Sequence, residues 1–180
     1  GFGAMRLTGT GIWGKPKNEA EARRVLLRAA ELGVYFIDTA DSYGPHANEE
    51  LIASVLAPYS KGLVVATKGG LVRPGPDHWD RDARPAHLRE ACEGSLRRLR
   101  VDRIDLYQLH APDPDVPYED SVGELAKLQR EGKIRHVGLS NVRLGELQRA
   151  RKLVTLVSVQ NRYNVLEQTY DDVLDYCTRE

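Results

Sequence analysis

Residues that can hold or transfer protons end three successive strand-like segments of this sequence. Asp38, Lys68 and His110 each close a segment rich in apolar residues, and Tyr43 follows Asp38 by five positions. In βα-repeat proteins the carboxyl ends of neighbouring strands meet at one rim, where these enzymes build their active sites. A carboxylate, an ammonium, an imidazole and a phenol gathered there would form a proton-donating site.

The chemistry that best fits these four groups is the reduction of a carbonyl. A free phenol, with a pKa of roughly 10, is too weak an acid to donate easily at neutral pH. We expect Lys68 to lower the pKa of Tyr43, and Asp38 to hold Lys68 in place and keep it charged. His110 would orient the carbonyl oxygen by a hydrogen bond or share the proton transfer. None of the four supplies a hydride, which implies a nicotinamide cofactor.

Each of these residues also has a structural explanation when it is taken alone. A lysine at a strand end is usually solvated, a lone histidine is usually structural, and an Asp before Thr39 is typical of a cap. Their shared position at successive strand ends favours the joint catalytic interpretation over the separate ones.

Amide and hydroxyl groups end the next two segments. Ser140 and Asn141 close the fifth predicted strand, and Gln160 ends the sixth. Together they offer the donors and acceptors that a carboxamide requires. The alternative is a Ser-Asn turn that caps the following helix, and the sequence alone leaves both open.

Short apolar segments alternate with amphipathic segments, which predicts repeated βα units around a parallel sheet. Asn18 and Glu21 resemble a capping box before the first helix, and Gly33 suits its end. The predicted strands are Gly1–Met5, Val34–Asp38, Leu63–Lys68, Ile104–His110, Ile134–Ser140 and Leu156–Gln160. The predicted helices are Glu19–Leu32, Glu49–Leu56, Pro85–Leu99, Tyr118–Arg130, Leu144–Lys152 and Glu167–Thr178.

The length predicts a barrel-type fold that is short of a full barrel. At about 30 residues per unit, 180 residues hold six βα units, whereas a closed (β/α)8 barrel has eight units in typically about 250 residues. We therefore expect one α/β domain of the (β/α)8 TIM-barrel type over residues 1–180, with about six of the eight units and a truncation at the C-terminus.

Composition argues against several other classes of protein. The formal net charge is zero, which gives no electrostatic case for binding nucleic acid or an acidic membrane surface. No segment has the apolar length of a membrane span, and the start lacks a signal peptide's pattern, so we expect a cytoplasmic protein. The only cysteines, Cys92 and Cys177, lie in helical patterns and are expected to be reduced. Neither metal-ligand spacing nor a serine-hydrolase elbow is found, so no metal site is expected.

One motif points to a different nucleotide-binding fold. The segment Gly9–Gly14 matches the G-x-G-x-x-G fingerprint, and Asp38 ends the next predicted strand, where a ribose-binding acid would stand. In that fingerprint the third glycine lies inside a helix, but the helical pattern here begins only near Asn18. A Rossmann interpretation also leaves two of the four proton-handling residues without a role, so we disfavour it.

Two tryptophans lie in loops that follow predicted strands. Trp13 follows the first strand, and Trp79 lies in Leu71–Arg84, a segment rich in Pro, Gly and charge that we predict to be a long surface loop. Loops at this rim usually shape a substrate pocket. The alternative is that the aromatic side chains anchor their loops to the body of the protein.

Five segments resemble the aldo-keto reductase family, and the resemblance covers essentially the whole chain. They are Phe36–Gly44 (FIDTADSYG), Ala66–Gly70 (ATKGG), Leu106–His110 (LYQLH), Gly132–Asn141 (GKIRHVGLSN) and Val159–Asn161 (VQN). The resemblance implies a (β/α)8 barrel that binds NADPH in extended form without a Rossmann domain.

The resemblance also implies a role for each candidate residue. Tyr43 would be the general acid and base, Lys68 and Asp38 its tuning pair, and His110 would orient the substrate carbonyl. Asp38 would also contact the nicotinamide ribose. The nicotinamide carboxamide would be held by three side chains, Ser140, Asn141 and Gln160.

The sequence therefore predicts an NADP-dependent oxidoreductase that reduces small aldehydes and ketones to alcohols. In the family, the residues that stack on nicotinamide and grip the 2′-phosphate follow the seventh and eighth strands, beyond Glu180, so NADH remains an alternative to NADPH. The alternative function is a non-catalytic, nucleotide-binding regulatory subunit of the same fold, or an inactive fragment. The physiological substrate and the oligomeric state do not follow from the sequence.

Overall fold

The computed structural model describes all residues from 1 to 180. Two short 3-10 helices, Ala4–Arg6 and Thr10–Ile12, precede the first α-helix. The strands are β1 Phe2–Gly3, β2 Phe36–Asp38, β3 Val64–Gly69, β4 Leu71–Val72, β5 Asp80–Arg81, β6 Ile104–Leu109, β7 Ile134–Ser140 and β8 Leu156–Gln160. The α-helices are α1 Glu19–Glu31, α2 Ala47–Leu56, α3 Pro85–Leu99, α4 Tyr118–Arg130, α5 Leu144–Arg151 and α6 Asp171–Arg179.

Six parallel strands form the main sheet in the order β1-β2-β3-β6-β7-β8, which never reverses along the chain. Each helix packs against the next helix, from α1 to α6. A doubly wound sheet instead reverses its strand order at a switch point, so the Rossmann interpretation is excluded. The sheet is a curled half-barrel, which confirms the predicted barrel-type fold.

Most predicted boundaries lie within two residues of the observed ones, but both ends of the chain differ. The first strand is only Phe2–Gly3. The chain turns there because the Ala4 carbonyl accepts hydrogen bonds from the Leu7 N–H and from Asn48 Nδ2. The last helix begins at Asp171 rather than Glu167, because residues 164–167 form a turn closed by two backbone hydrogen bonds.

The start of α1 has only half of the predicted capping box. Asn18 Oδ1 accepts a hydrogen bond from the Glu21 N–H at 2.9 Å, as expected. The Glu21 carboxylate does not return to Asn18 but accepts from Arg24 Nε at 2.9 Å, because a guanidinium one turn away is the stronger donor. Gly33 has a φ of +77° after the helix, which agrees with its predicted place.

The segment Leu71–Arg84 contains a β-hairpin, and its prediction as a loop without strands is wrong. Within it β4 and β5 pair antiparallel, with Leu71 opposite Arg81 and Val72 opposite Asp80. A strand of two residues is too short to show alternation in the sequence, so no pattern could predict the pairing. The hairpin carries its tip back toward the carboxyl ends of the strands.

The core lies between the strands and the helices. A cluster of 19 buried residues joins β6, β7, α3, α4 and α5, and a second cluster of eight joins β2, α1 and α2. None of the helices has the length and the apolar character needed to cross a membrane. Packing on this scale holds the strand ends rigidly, which a rim of polar groups requires.

Tyr107 shows why β3 must end on a glycine. The Tyr107 side chain is fully buried, and its hydroxyl donates a hydrogen bond to the Leu88 carbonyl at 3.4 Å. A Cβ at Gly69 would overlap the Tyr107 hydroxyl and lie 3.2 Å from the Ala91 Cβ. Because Gly69 directly follows Lys68, this close approach of Gly69 to Tyr107 also fixes the position of Lys68 along β3.

We predict that Gly69→Ala lowers the free energy of unfolding by about 1–3 kcal/mol, because the added methyl overpacks a rigid site. Urea denaturation measures the change. Gly123→Ala is the matched control, since Gly123 lies in α4 with no atom within 4 Å of its Cβ position. That control should be neutral or stabilising by up to about 1 kcal/mol. Adding Tyr107→Phe to Gly69→Ala should recover part of the loss, and equal stability of Gly69→Ala and the original chain would contradict the overlap.

Candidate active site

A buried ion pair between Lys68 and Asp38 lies at the carboxyl ends of β2 and β3. The Lys68 ammonium donates to both carboxylate oxygens of Asp38 at 2.9 Å and to the Thr39 carbonyl oxygen at 2.9 Å. Burial lowers the pKa of Lys68 against the opposing effect of Asp38. Because an ammonium has three protons, these hydrogen bonds hold Lys68 in one place.

Tyr43 is placed beside this pair by the turn that follows β2. The Tyr43 N–H donates to the Ala40 carbonyl at 3.2 Å, and Gly44 adopts a φ of +68° that turns the chain toward α2. The Tyr43 side chain is buried, and its ring centroid lies 5.3 Å from Lys68 Nζ. The ring of Tyr43 therefore lies beside the Lys68 ammonium.

The pKa of Tyr43 is raised, so the expected lowering by Lys68 is wrong. Burial is the main cause, followed by the carboxylates of Asp38 and Asp41. The physical reason is that Lys68 directs its hydrogen bonds to Asp38 and Thr39 rather than to the phenol. Tyr43 therefore stays protonated at neutral pH, with a proton available for donation.

His110 extends β6 and supplies a second neutral donor. The backbone N–H of His110 donates to the Gly69 carbonyl at 2.9 Å. The centroid of its imidazole ring lies 5.7 Å from that of the Tyr43 ring, edge to face. Burial and the Lys68 charge lower the pKa of His110 to about 3, so the imidazole is neutral at neutral pH. Ser42 Oγ lies 3.4 Å from His110 Nδ1.

Only two of the three residues predicted to bind a carboxamide are joined by a side-chain hydrogen bond. Asn141 Nδ2 donates to the His110 carbonyl at 2.9 Å and to Ser140 Oγ at 3.1 Å. The Asn141 N–H donates to the Gln160 carbonyl, but the Gln160 side chain is exposed and makes no hydrogen bond in the chain. The alternative of a helix cap is wrong, because α5 has Arg143 at its N-cap.

Trp79 lies over the Tyr43–His110 pair, at 6.3 Å from the Tyr43 ring and 6.4 Å from the His110 ring. Its ring also stacks on the Arg73 guanidinium, so Trp79 both lines the site and anchors its loop. Trp13 is partly exposed and lies 5.9 Å from the same guanidinium. No sequence pattern pointed to Arg73, since an arginine in a Pro- and Gly-rich segment looks like any solvated one.

Asp41 is a second acid near the site, and the sequence predicted no role for it. Its side chain is buried, and Oδ1 has no hydrogen-bond partner. Burial, with a contribution from Glu49, raises the pKa of Asp41 to about 8. Its position two residues before Tyr43 is the one sequence signal that pointed to it. Asp41 therefore stays protonated at neutral pH and adds no negative charge to the site.

These groups together present two neutral proton donors, the Tyr43 phenol and the His110 imidazole, beside a buried ammonium. That arrangement can hydrogen-bond and protonate one oxygen atom that gains negative charge. No group of three or more His, Cys, Asp or Glu residues is placed to hold a metal ion.

Comparisons with known proteins agree in sequence and in fold. A family model described as "Aldo/keto reductase family" matches residues 1–180. An uncharacterized oxidoreductase of Schizosaccharomyces pombe is 49% identical over 180 residues, which are 100% of this chain and 58% of that protein.

Two solved structures have similar folds. The glycerol dehydrogenase of Gluconobacter oxydans has a TM-score of 0.89 and 38% identity, covering 99% of this chain and 55% of that one. An aldo-keto reductase of Klebsiella pneumoniae, solved in complex with NADPH, has a TM-score of 0.77 and 29% identity, covering 99% of this chain and 59% of that one. This chain spans less than two thirds of the length of these relatives.

We predict that Asp41→Asn changes how stability depends on pH. Between about pH 4 and pH 8 the folded chain keeps the Asp41 proton that the unfolded chain releases, so this group's contribution to stability falls as pH rises. The asparagine variant lacks this fall. Denaturant unfolding of both proteins should show the variant gaining relative stability up to about pH 8 and no further gain above it. His110 shifts stability in the opposite direction but is present in both proteins, and a pH-independent difference between them would contradict the buried, protonated Asp41.

Proposed function

The chain belongs to the aldo/keto reductase family. We therefore propose that it acts as an NAD(P)H-dependent oxidoreductase that reduces aldehydes and ketones to alcohols. The observation that carries this proposal is the pair of neutral donors, Tyr43 and His110, beside the buried Lys68–Asp38 ion pair. Tyr43 is the proton donor in this proposal.

The residues at this rim fit a nicotinamide. Asn141 Oδ1 and the whole Gln160 amide have no partner in the chain, so an acceptor and a donor remain for a carboxamide beside Ser140. The Asp38 side chain, held at the same rim by Lys68, is 15% exposed and is therefore accessible to a ribose hydroxyl. NADPH is the proposed cofactor, as one structural relative was solved with NADPH, with NADH the alternative. When bound, the nicotinamide supplies the hydride that adds to the carbonyl carbon.

Tyr43 completes the reduction by donating its phenolic proton. As the carbon–hydrogen bond forms, the carbonyl oxygen becomes an alkoxide, which is a stronger base than a phenolate and takes the proton from Tyr43 Oη. The raised pKa of Tyr43 ensures that the proton is present beforehand. The phenolate left on Tyr43, whose ring centroid lies 5.3 Å from Lys68 Nζ, then recovers a proton from solvent.

Ser42 sets the hydrogen-bonding state of His110 in this proposal. A neutral imidazole donates from one nitrogen and accepts at the other. The Ser42 hydroxyl lies 3.4 Å from His110 Nδ1. We propose that it donates to that nitrogen, which leaves the proton on Nε2. The Nε2–H is then free to orient the substrate oxygen toward Tyr43.

Loss of NADPH absorbance with a panel of aldehydes and ketones tests the proposed function. The panel should include aryl aldehydes and a short hydroxyaldehyde, since one structural relative is named a glycerol dehydrogenase. Saturable, carbonyl-dependent oxidation of NADPH supports a reductase. Tight NADPH binding without turnover of any carbonyl would favour the regulatory subunit instead.

Tyr43→Phe keeps the ring and removes the proton, so we predict a fall in turnover of roughly 10²–10⁴-fold with NADPH binding retained. Steady-state kinetics and fluorescence titration of NADPH measure the two effects. Tyr35→Phe is the control, because Tyr35 is largely exposed. A Tyr43→Phe variant that kept more than about a tenth of the rate, against that range, would remove Tyr43 as the donor.

Ser42→Ala should lower kcat about tenfold with little change in NADPH affinity, because the imidazole can then adopt either tautomer. Ser42→Thr keeps the hydroxyl and should restore most of the rate. Nitrogen-15 NMR of the imidazole reports the tautomer directly. A predominantly Nε2–H ring in Ser42→Ala, or no rescue by threonine, would separate Ser42 from His110.

A further inference from the structure

Arg73 joins three loops of the rim through its guanidinium. Nε donates to the His78 carbonyl at 2.6 Å, and Nη2 donates to the Gly11 carbonyl at 2.7 Å. Nη1 donates to the Ile12 carbonyl at 2.9 Å and, more weakly, to the Ser42 carbonyl at 3.4 Å. The fifth donor reaches the carbonyl of Gly75 at 3.4 Å. Every N–H of the fork therefore has a backbone acceptor.

No carboxylate forms an ion pair with Arg73, although its side chain is buried. Carbonyl dipoles compensate the charge, and the Asp77 carboxylate contributes at longer range. The loops must therefore keep their carbonyls pointed inward for Arg73 to stay buried. The loops are also closely packed, because a Cβ at Gly11 would lie 2.9 Å from Asp77 Oδ2 and 3.0 Å from Pro76 Cβ. Arg73 thus couples the loops after β1 and β2 to the tip of the β4–β5 hairpin.

The same guanidinium covers one face of Trp79, with its carbon atom 3.7 Å from the ring centre. The Trp79 ring stands nearly perpendicular to the rings of Tyr43 and His110, at 82° and 72°. Trp79 lies on a hairpin whose two strands have only two residues each, so the strand pairing alone holds it weakly. Its position over the two donors therefore depends on Arg73.

We propose that Arg73 is a positioning residue that sets substrate choice by holding Trp79 over the Tyr43–His110 pair. This inference rests on the proposed function, since it concerns the substrate of the same site. Arg73 occupies one indole face, so a substrate has only the other face and the ring edge to pack against. Flat apolar groups gain most from such a surface. The site therefore favours carbonyls with an aryl substituent over short aliphatic ones.

Arginine is required at this position, and lysine does not replace it. A planar fork donates in five directions and stacks on an aromatic ring, whereas an ammonium has three donors and no flat face. Arg73→Lys should therefore behave like Arg73→Ala. Arg81→Ala is the matched control, since Arg81 lies in the same hairpin and donates to a backbone carbonyl, that of Pro112, without contacting Trp79.

Tryptophan fluorescence tests the position of Trp79 without any need for activity. The chain has two tryptophans, so Trp13→Phe leaves Trp79 as the only source of indole emission. In that background Arg73→Ala and Arg73→Lys should shift the emission to longer wavelength and raise the acrylamide quenching constant, with far-UV circular dichroism unchanged. Arg81→Ala should leave both unchanged. An unchanged quenching constant in a folded Arg73→Lys variant would overturn the proposal.

Kinetics test the selectivity in the same variants. For an aryl aldehyde, kcat/KM should fall about tenfold to a hundredfold, mainly through a higher KM. The reason is that a displaced Trp79 ring positions the substrate less well. Acetaldehyde should lose much less. Trp79→Ala should reproduce this pattern, and the double variant should lose no more than either single one, since Arg73 acts through Trp79.

The outcomes separate the two levels of the proposal. Additive losses in the double variant, or equal losses for both aldehydes, would refute Arg73 as a determinant of selectivity. An unsubstituted chain that reduces no carbonyl would refute the proposed function and the selectivity with it. The quenching result would then still decide whether Arg73 holds Trp79.

Discussion

The buried charge of Lys68 is the constraint on which the rest of this site depends. An ammonium out of water costs several kcal/mol unless it is compensated, and here Asp38 and the Thr39 carbonyl compensate it. Their geometry requires that β2 and β3 keep their register, in which Asp38 faces Ala66. Burial, together with the same charge, lowers the pKa of His110. One cation thus links the pairing of two strands to the protonation of the site.

The opposite face of β3 carries a matching arrangement. Thr67, the neighbour of Lys68, donates from its hydroxyl to the fully buried Glu49 carboxylate at 2.6 Å, and Arg98 Nε donates to the other carboxylate oxygen at 2.6 Å. Because successive side chains of a strand alternate between its faces, β3 carries a compensated cation on one face and contacts a compensated anion of α2 on the other. Asp41 avoids adding a further charge by keeping its proton.

Sequence patterns predicted what depends on period and phase. Alternating apolar and amphipathic segments predicted the βα units, and strand ends in phase predicted that Asp38, Lys68 and His110 would meet. What the patterns could not predict depends on long-range contact. Burial, with the nearby carboxylates of Asp38 and Asp41, decides the pKa of Tyr43. The role of Arg73 depends on carbonyls 31, 61 and 62 residues away. Neither leaves a periodic signal.

The residues of the rim lie on two kinds of backbone, the ends of core strands and a small hairpin. The proton-handling groups lie at or next to the ends of strands that the core holds, whereas Trp79 and Arg73 belong to the small β4–β5 hairpin inserted before α3. A change in the hairpin can alter which molecules reach the donors and leave the ion pair and the strand register intact. The proposed substrate selectivity is therefore open to change by mutation within one short hairpin, whereas the proposed chemistry depends on residues that the core holds in place.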